Sequence, residues 1–315
     1  MHTKSRSEQA GAGACLLAPA KLNLTLEILD RRPDGYHELE SLVVFAGVGD
    51  RLQVEPAPDL TLEVKGPFAG ALTGAGEENL VLRAARLLAA FGDVTAGARL
   101  RLTKNLPVGA GLGGGSSDAA LALRLLNRQW GLSLPDRELA NLGLQLGADV
   151  PVCLYRRPAL MRGIGEELAP APPLPPLWTV LVNPLKSLAT ADVYRARQGS
   201  FARASAWWLH PPKDAAAAAV HLAARPNDLQ VPALRLCPDV AAVLSALERT
   251  RGCLLARMSG SGASCFGLYA SAGEAEAAAT ALKSGFPEWW IRATAVLGEG
   301  EDDVELRNRL AGRAQ

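Results

Sequence analysis

Residues 109–118 read GAGLGGGSSD, and no regular element accommodates five glycines in seven positions. Glycine loses more backbone freedom on folding than any other residue and adds no packing, so such a run is a loop that needs a compensating role. A long serine-capped turn is the plain alternative, although an ordinary helix entry needs one permissive residue rather than five. The preceding ARLRLT (98–103) alternates like a strand, and a helical pattern runs from about 116 to 130. Small residues between a strand and a helix let backbone N–H groups converge on one point, and the helix start adds free N–H groups and a positive dipole end. That geometry binds phosphate. The spacing Gly109-x-Gly111-x-x-Gly114 formally matches a dinucleotide fingerprint. The second strand ending in an acid about 20 residues on is missing, because Asp136 opens a helix. A phosphate loop of the Walker type needs Gly-Lys, which occurs nowhere in the chain, and the protein-kinase motifs H-R-D and D-F-G are absent too.

The rest of the composition narrows the partners. Lys plus Arg total 33 against 32 Asp plus Glu, a net charge of +1, so nothing speaks for a nucleic-acid interface. Five cysteines without C-x-x-C spacing fit a reducing cytoplasm rather than a disulfide framework, and four histidines without H-E-x-x-H supply no zinc motif. No apolar run reaches membrane-spanning length. AGAC around Cys15 lacks the apolar core of an export signal, so the first dozen residues are expected to be loose. The expectation is a cytoplasmic enzyme without a membrane or nucleic-acid partner.

At 315 residues the chain is long enough for two domains. KLNLTLEIL (21–29) alternates strictly and predicts a half-buried strand, with Leu22, Leu24, Leu26 and Ile28 inside and Lys21, Asn23, Thr25 and Glu27 outside. PDG (33–35) is a turn. Further strands are predicted at about 41–46, 51–55 and 60–65, with GVGD between the first two. A helix over 78–91 carries the stripe Leu80, Ala84, Leu87 and Phe91 and ends at Gly92. Ser133 and Asp136 have capping-box spacing for a helix running to Gly147. APAPPLPPL (169–177) reads as a stiff connector. Beyond it come strand 178–183, helix 190–197, an alanine-rich helix at 215–224, a helical region over 231–249, strands LLARM and SCFGLY around SGSG, helix AGEAEAAATALKS and strand WIRATAV. That is the split βαβ order of a ferredoxin-like layer. Trp207 and Trp208 read as a local core or an interface patch, and the charged tail after Gly298 as loose or a surface helix.

Single residues take on chemistry when grouped. Phosphoryl transfer needs a phosphate cradle, positive charge on the migrating group and an acceptor for the alcohol's proton. Lys21 and Asn23 project from one strand face. Asp149 sits in GADVP, where a turn-former and a functional carboxylate are both natural. Tyr36 and His37 follow the PDG turn. Asp118 either caps the helix after the glycine loop or helps hold Mg²⁺.

APAKLNLTLEILDRRPDGYHELESL, LPVGAGLGGGSSDAALAL and SGSGASCFG resemble the three motifs of the GHMP small-molecule kinases. With LGLQLGADVPV and PNDL (226–229), the likeness covers most of residues 17–297 and is closest to the branch that phosphorylates a diphosphocytidyl-linked methylerythritol. The resemblance implies an α+β fold. Residues 1–164 would form an ATP-binding α/β sandwich like domain 2 of ribosomal protein S5, and 165–315 a ferredoxin-like α+β domain. It implies ATP as phosphate donor with Mg²⁺ expected, no assigned metal ligands, a small-molecule acceptor phosphorylated at its tertiary 2-hydroxyl, a place in non-mevalonate isoprenoid biosynthesis, and a monomer or weak homodimer. Asp149 would take the proton, and Lys21 would keep Asp149 ionised and stabilise transition-state charge. The phosphates would lie on Val108, Gly109, Ala110, Gly111, Leu112, Gly113, Gly114, Gly115, Ser116 and Ser117, with Asn79 and Lys104 near the nucleotide. Asn23 and His37 would bond the polyol and diphosphate region, Tyr36 and Tyr194 would stack on the cytosine, and Thr190 would touch the substrate. The SGSG turn (259–262) would close the site. Residues 198–226 read as an expanded and variable segment, and nothing is carried over there. A mevalonate- or homoserine-type kinase and a catalytically silent nucleotide-binding regulator of the same fold are the alternatives.

Overall fold

Residues 15–72, 78–203, 206–208 and 210–298 are described in the computed structural model of the chain; the first dozen residues and the tail after Gly298 lie outside them. The order is β1 (Leu16–Asn23), β2 (Glu27–Arg31), β3 (His37–Ala57), β4 (Thr61–Lys65), α1 (Leu80–Phe91), β5 (Gly97–Thr103), α2 (Gly114–Gln129), α3 (Asp136–Leu146), α4 (Val150–Tyr155), β6 (Ala159–Gly163) and β7 (Glu167–Pro170). It continues with β8 (Trp178–Asn183), α5 (Thr190–Ala196), α6 (Ala215–Ala223), α7 (Gln230–Leu236), α8 (Asp239–Glu248), β9 (Leu255–Met258), β10 (Cys265–Tyr269), α9 (Ala272–Gly285) and β11 (Trp290–Ala295).

β3 is the spine of a seven-stranded sheet ordered β4-β5-β3-β6-β7, with β1 and β2 also paired to it. Two strands were expected across GVGD, and one is found. Gly49 crosses β1 so closely that a Cβ there would lie 2.0 Å from the Ala18 carbonyl oxygen, so this glycine serves a close approach rather than a turn. Helices α1 and α2 lie on this sheet, α2 on β1 and β3, and α3 and α4 pack against them. β7 pairs with β6, so the first sheet extends to Pro170, past the expected division at 164. The second sheet is antiparallel in the order β11-β8-β10-β9, with α8 and α9 packed on it: the ferredoxin-like arrangement.

Three local expectations change. The strand predicted over 21–29 breaks between β1 and β2, and its polar face is not solvated: Lys21, Asn23, Thr25 and Glu27 are all buried. A second layer covers them. α1 buries Val81, Ala84, Ala85 and Leu88, leaving Phe91 half exposed, so its apolar stripe is rotated from the one expected. α3 starts after Pro135 without a side-chain cap, because Ser133 sits in a left-handed turn (φ 55°) outside capping position. Within 198–226, the indole Nε1 of Trp207 donates to Glu40 Oε1 (2.9 Å) and the Arg225 guanidinium lies 3.8 Å over its ring, which makes the tryptophans local packing between the two layers.

Candidate active site

The glycine loop joins β5 to α2 and forms one wall of a cleft of about 1370 Å³. That volume exceeds the roughly 300–1,000 Å³ of a typical single-ligand pocket. Two glycines are fixed by what surrounds them. Gly113, at φ 61°, caps α2 with no side-chain bond, and a Cβ on it would lie 3.0 Å from Lys21 Cβ. Gly111, at φ 72°, would place a Cβ 2.5 Å from the Ser259 carbonyl oxygen. The loop is thus clamped between the lysine stem and the SGSG turn. Ser259 Oγ donates to Gly111 O (3.1 Å) and accepts from Asn23 N (3.2 Å), while Ser264 N donates to Ala110 O (3.2 Å).

Of the expected phosphate residues, 108–116 line the cleft except Leu112. The Leu112 side chain is in the core while its carbonyl accepts from Lys21 N at 2.8 Å. Ser117 is also turned away: it is buried, and its N–H closes the first turn of α2 on Gly113 O (2.8 Å). The N–H groups of Gly114, Gly115 and Ser116 fall in the first turn of α2, where a helix offers them no internal partner, and all three residues line the cleft.

Lys104 also lines the cleft, with its ammonium already engaged. It is buried between Asp50 and Asp118, with Nζ 2.8 Å from Asp118 Oδ2 and also bonded to Asp50 Oδ2. Burial alone would lower its pKa, but the charges of Asp118 and Asp50 prevail and raise it. One ammonium cannot neutralise two carboxylates. Burial pushes Asp118 up to about 7, Asp50 adding to the rise and Lys104 opposing it. Asp118 therefore does not cap α2; it anchors the helix to Lys104, and its Oδ1 is buried without a hydrogen-bond partner. Asp50 Oδ1 in turn accepts from Asn105 N (2.6 Å) and Leu106 N (2.9 Å), holding the strand that leads into the loop. Asn79 lines the cleft, with Oδ1 capping α1 through Val81 N at 2.9 Å.

Lys21 and Asp149 meet. Nζ lies 2.7 Å from Asp149 Oδ1, and the lysine side chain is 5% exposed against 36% for the carboxylate. The aspartate stands at the cap of α4, ahead of Pro151 in its first turn, so it is held at a rigid helix entry. Cys153 lies buried behind it, its thiol pushed up by burial and by the charge of Asp149, which leaves no nucleophile there. Asn23 donates from Nδ2 to Ser41 Oγ (2.8 Å), while its Oδ1, buried at the cleft wall, has no partner. At the far end Tyr36 is 60% exposed, and the rings of His37 and Tyr194 lie 5.2 Å apart, tilted by 35°. Burial raises the Tyr194 phenol pKa, with Asp149 contributing, so the tyrosine stays neutral. Thr190 Oγ1 is 2.8 Å from Ser261 Oγ, tying α5 to the SGSG turn. Among the described residues no group of three or more His, Cys, Asp or Glu side chains converges as a metal site, and no helix is long and apolar enough to cross a membrane.

Two supports escaped sequence reasoning. Asn227, in PNDL, donates from Nδ2 to both Met258 O and Gly260 O at 2.8 Å and accepts at Oδ1 from Leu229 N (2.9 Å). It holds the SGSG turn in place. Asp50, inside GVGD, looked like a turn residue. Spacing signals neither, since both act on elements far away in the chain.

Two family models match: the GHMP kinases N terminal domain over residues 79–157 and GHMP kinases C terminal over 213–288. A 4-diphosphocytidyl-2-C-methyl-D-erythritol kinase of Paramagnetospirillum magneticum is 55% identical over 280 residues, 89% of this chain and 97% of the relative. One of Parvibaculum lavamentivorans is 51% identical, covering 89% and 97%. A crystal structure of 4-(cytidine 5'-diphospho)-2C-methyl-D-erythritol kinase superposes with a TM-score of 0.74 at 38% identity, over 90% of this chain and all (100%) of that one. A homoserine kinase from Cytophaga hutchinsonii matches at 0.70 with 18% identity over 95% and 98%, a likeness of fold alone.

Proposed function

Because the chain belongs to the 4-diphosphocytidyl-2-C-methyl-D-erythritol kinases of the GHMP kinase family, we propose that its cleft transfers the γ-phosphoryl group of ATP to the 2-hydroxyl of 4-diphosphocytidyl-2-C-methyl-D-erythritol, a step of non-mevalonate isoprenoid precursor synthesis. The observation that carries this reading is the 2.7 Å Lys21–Asp149 pair beside a loop with free helix-start N–H groups. Asp149 accepts the hydroxyl proton as the oxygen bonds to phosphorus and the bond to the ADP oxygen breaks. A tertiary alcohol is a weak acid, so proton loss accompanies transfer. Lys21 keeps Asp149 ionised and offsets charge on the migrating group. Asn23 Oδ1, lacking a partner, accepts from an acceptor hydroxyl. Tyr36 and Tyr194 hold the cytosine end, and His37, its ring 5.2 Å from that of Tyr194, is placed with them rather than at the polyol and diphosphate region first expected; Thr190 sits at the acceptor side through its bond to Ser261.

ATP lies along residues 108–116, with Asn79 at the nucleotide end. Mg²⁺ bound to nucleotide phosphates needs only one or two protein ligands, and the unpartnered Oδ1 of Asp118 at the foot of the loop fits one. Bound there, the metal would neutralise phosphate charge. Residues 1–164 would thus carry the nucleotide and 165–315 close the cleft, in a cytoplasmic monomer or weak homodimer. A silent regulator would have no need of the ion pair between buried Lys21 and half-buried Asp149. ADP release with the diphosphocytidyl polyol, mevalonate and homoserine tests the reading: turnover with the first alone supports it, and faster turnover with either other acceptor refutes it.

A further inference from the structure

The open end of the cleft carries two arginines that the transfer chemistry leaves unused. Arg31 ends β2 and pairs across the ladder with His37. Directly opposed residues in an antiparallel pair share a sheet face, so the two side chains are neighbours. Arg197 follows α5, just past Tyr194. Both arginines line the cleft, and both lie close enough to His37 to act on it: burial first, and then their two charges, lower its pKa and keep the ring neutral.

The nearby cations differ from this pair. Arg32 is paired with Asp34 at 3.2 Å, and Arg195 with Asp192 at 2.6 Å. Among the described residues no carboxylate forms an ion pair with Arg31 or Arg197. Arg197 is instead held by neutral groups. Nη2 donates to Ser200 O (2.6 Å), Nη1 donates to Gly199 O (3.3 Å), and the guanidinium lies 4.7 Å over the Phe201 ring. Its Nε is buried with no hydrogen-bond partner. The segment is tied down where Ala202 N donates to Ile28 O at 2.8 Å, which brings it against the strand that carries Arg31. A guanidinium oriented by carbonyls and left without a counter-charge is prepared for an anion, and Arg suits phosphate by its planar fork of donors.

We propose that Arg31 and Arg197 seat the diphosphate of the acceptor, beside a base held at His37 and Tyr194. This deepens the acceptor assignment made above and rests on it. The first residues of the 198–226 segment then belong to the substrate site, and the neutral His37 ring is free to hydrogen-bond the base rather than compete for phosphate.

The test is calorimetric binding of CDP and of cytidine, with a non-hydrolysable ATP analogue saturating the nucleotide site, to the wild-type chain, Arg31→Gln and Arg197→Gln. The wild type is expected to bind CDP more tightly than cytidine. Each variant should lose about tenfold or more in CDP affinity, with cytidine and ATP-analogue affinities unchanged. CDP binding should also weaken with added salt less steeply in the variants. Equal losses for CDP and cytidine, or none for either, overturn the seat while leaving the acceptor class standing. A wild type that binds the ATP analogue but neither cytidine nor CDP overturns the acceptor class, and the seat with it.

Discussion

Lys21 Nζ and Asp149 Oδ1 are 2.7 Å apart, and the same lysine has its backbone N–H on Leu112 O and its stem against Gly113. One residue thereby links the proposed proton acceptor to the glycine loop. Replacing Asp149 with Asn keeps the shape and removes the base, so kcat should fall by about 10²- to 10⁴-fold with little change in KM for ATP. Lys21→Met should cost roughly 10²-fold or more in kcat. Steady-state kinetics on both variants checks this, and near-normal turnover of Asp149→Asn would remove the base from the account.

Gly113→Ala introduces a Cβ 3.0 Å from Lys21 Cβ at a backbone φ of 61°. The left-handed conformation costs an L-residue about 1–2 kcal/mol, and the contact pushes on Lys21 besides. Thermal unfolding should report a lower Tm, and kcat should fall although position 113 has no functional group.

Asp118 gives the fold a pH signature. Its folded pKa of about 7 lies above the ~3.9 of an unfolded aspartate, so the folded state keeps a proton that the unfolded state has released. This contribution to stability is present below about pH 4 and is lost as pH rises to about 7. Asp118→Asn cannot titrate. Tm measured across pH 5 to 8 should fall with rising pH less steeply in Asp118→Asn than in the wild type.

Asn227 and Ser259 act through one turn, since Asn227 holds Met258 O and Gly260 O while Ser259 bonds Gly111 and Asn23. Residues sharing a network are not additive. Asn227→Ala and Ser259→Ala should each lower kcat, and the double variant should lose less than the product of the two. A double-mutant cycle on kcat measures this, and strict additivity would place the two residues in separate roles.

Much of the site was legible because local chemistry marked it. The glycine run pointed to a loop, its place between strand and helix pointed to phosphate, and the alternation of 21–29 put Lys21 and Asn23 on one face. What stayed hidden is non-local. Alternation predicted a solvated polar face for Lys21, Asn23, Thr25 and Glu27, and only the second layer, arriving some 200 residues later in pairs such as Arg225–Glu27, buries it. GVGD has the composition of a turn, yet β3 runs through it because Gly49 meets Ala18. Resemblance alone puts Lys104 near the nucleotide, and its partner Asp50, 54 residues away, cannot be paired with it from spacing. Leu112 and Ser117 fall in the motif but are buried, Ser117 because the helix starts at Gly114 and turns it inward, Leu112 in the loop ahead of it with its carbonyl on Lys21 N.

The most direct measurement is the structure of the product. Incubating the chain with ATP, Mg²⁺ and 4-diphosphocytidyl-2-C-methyl-D-erythritol and reading ³¹P and ¹³C NMR should show a new phosphomonoester coupled to the quaternary C2 carbon, formed in step with ADP. A phosphate on the C3 hydroxyl, or ADP formed with free phosphate and no ester, would contradict the placement of Asp149 and Lys21 about the 2-hydroxyl.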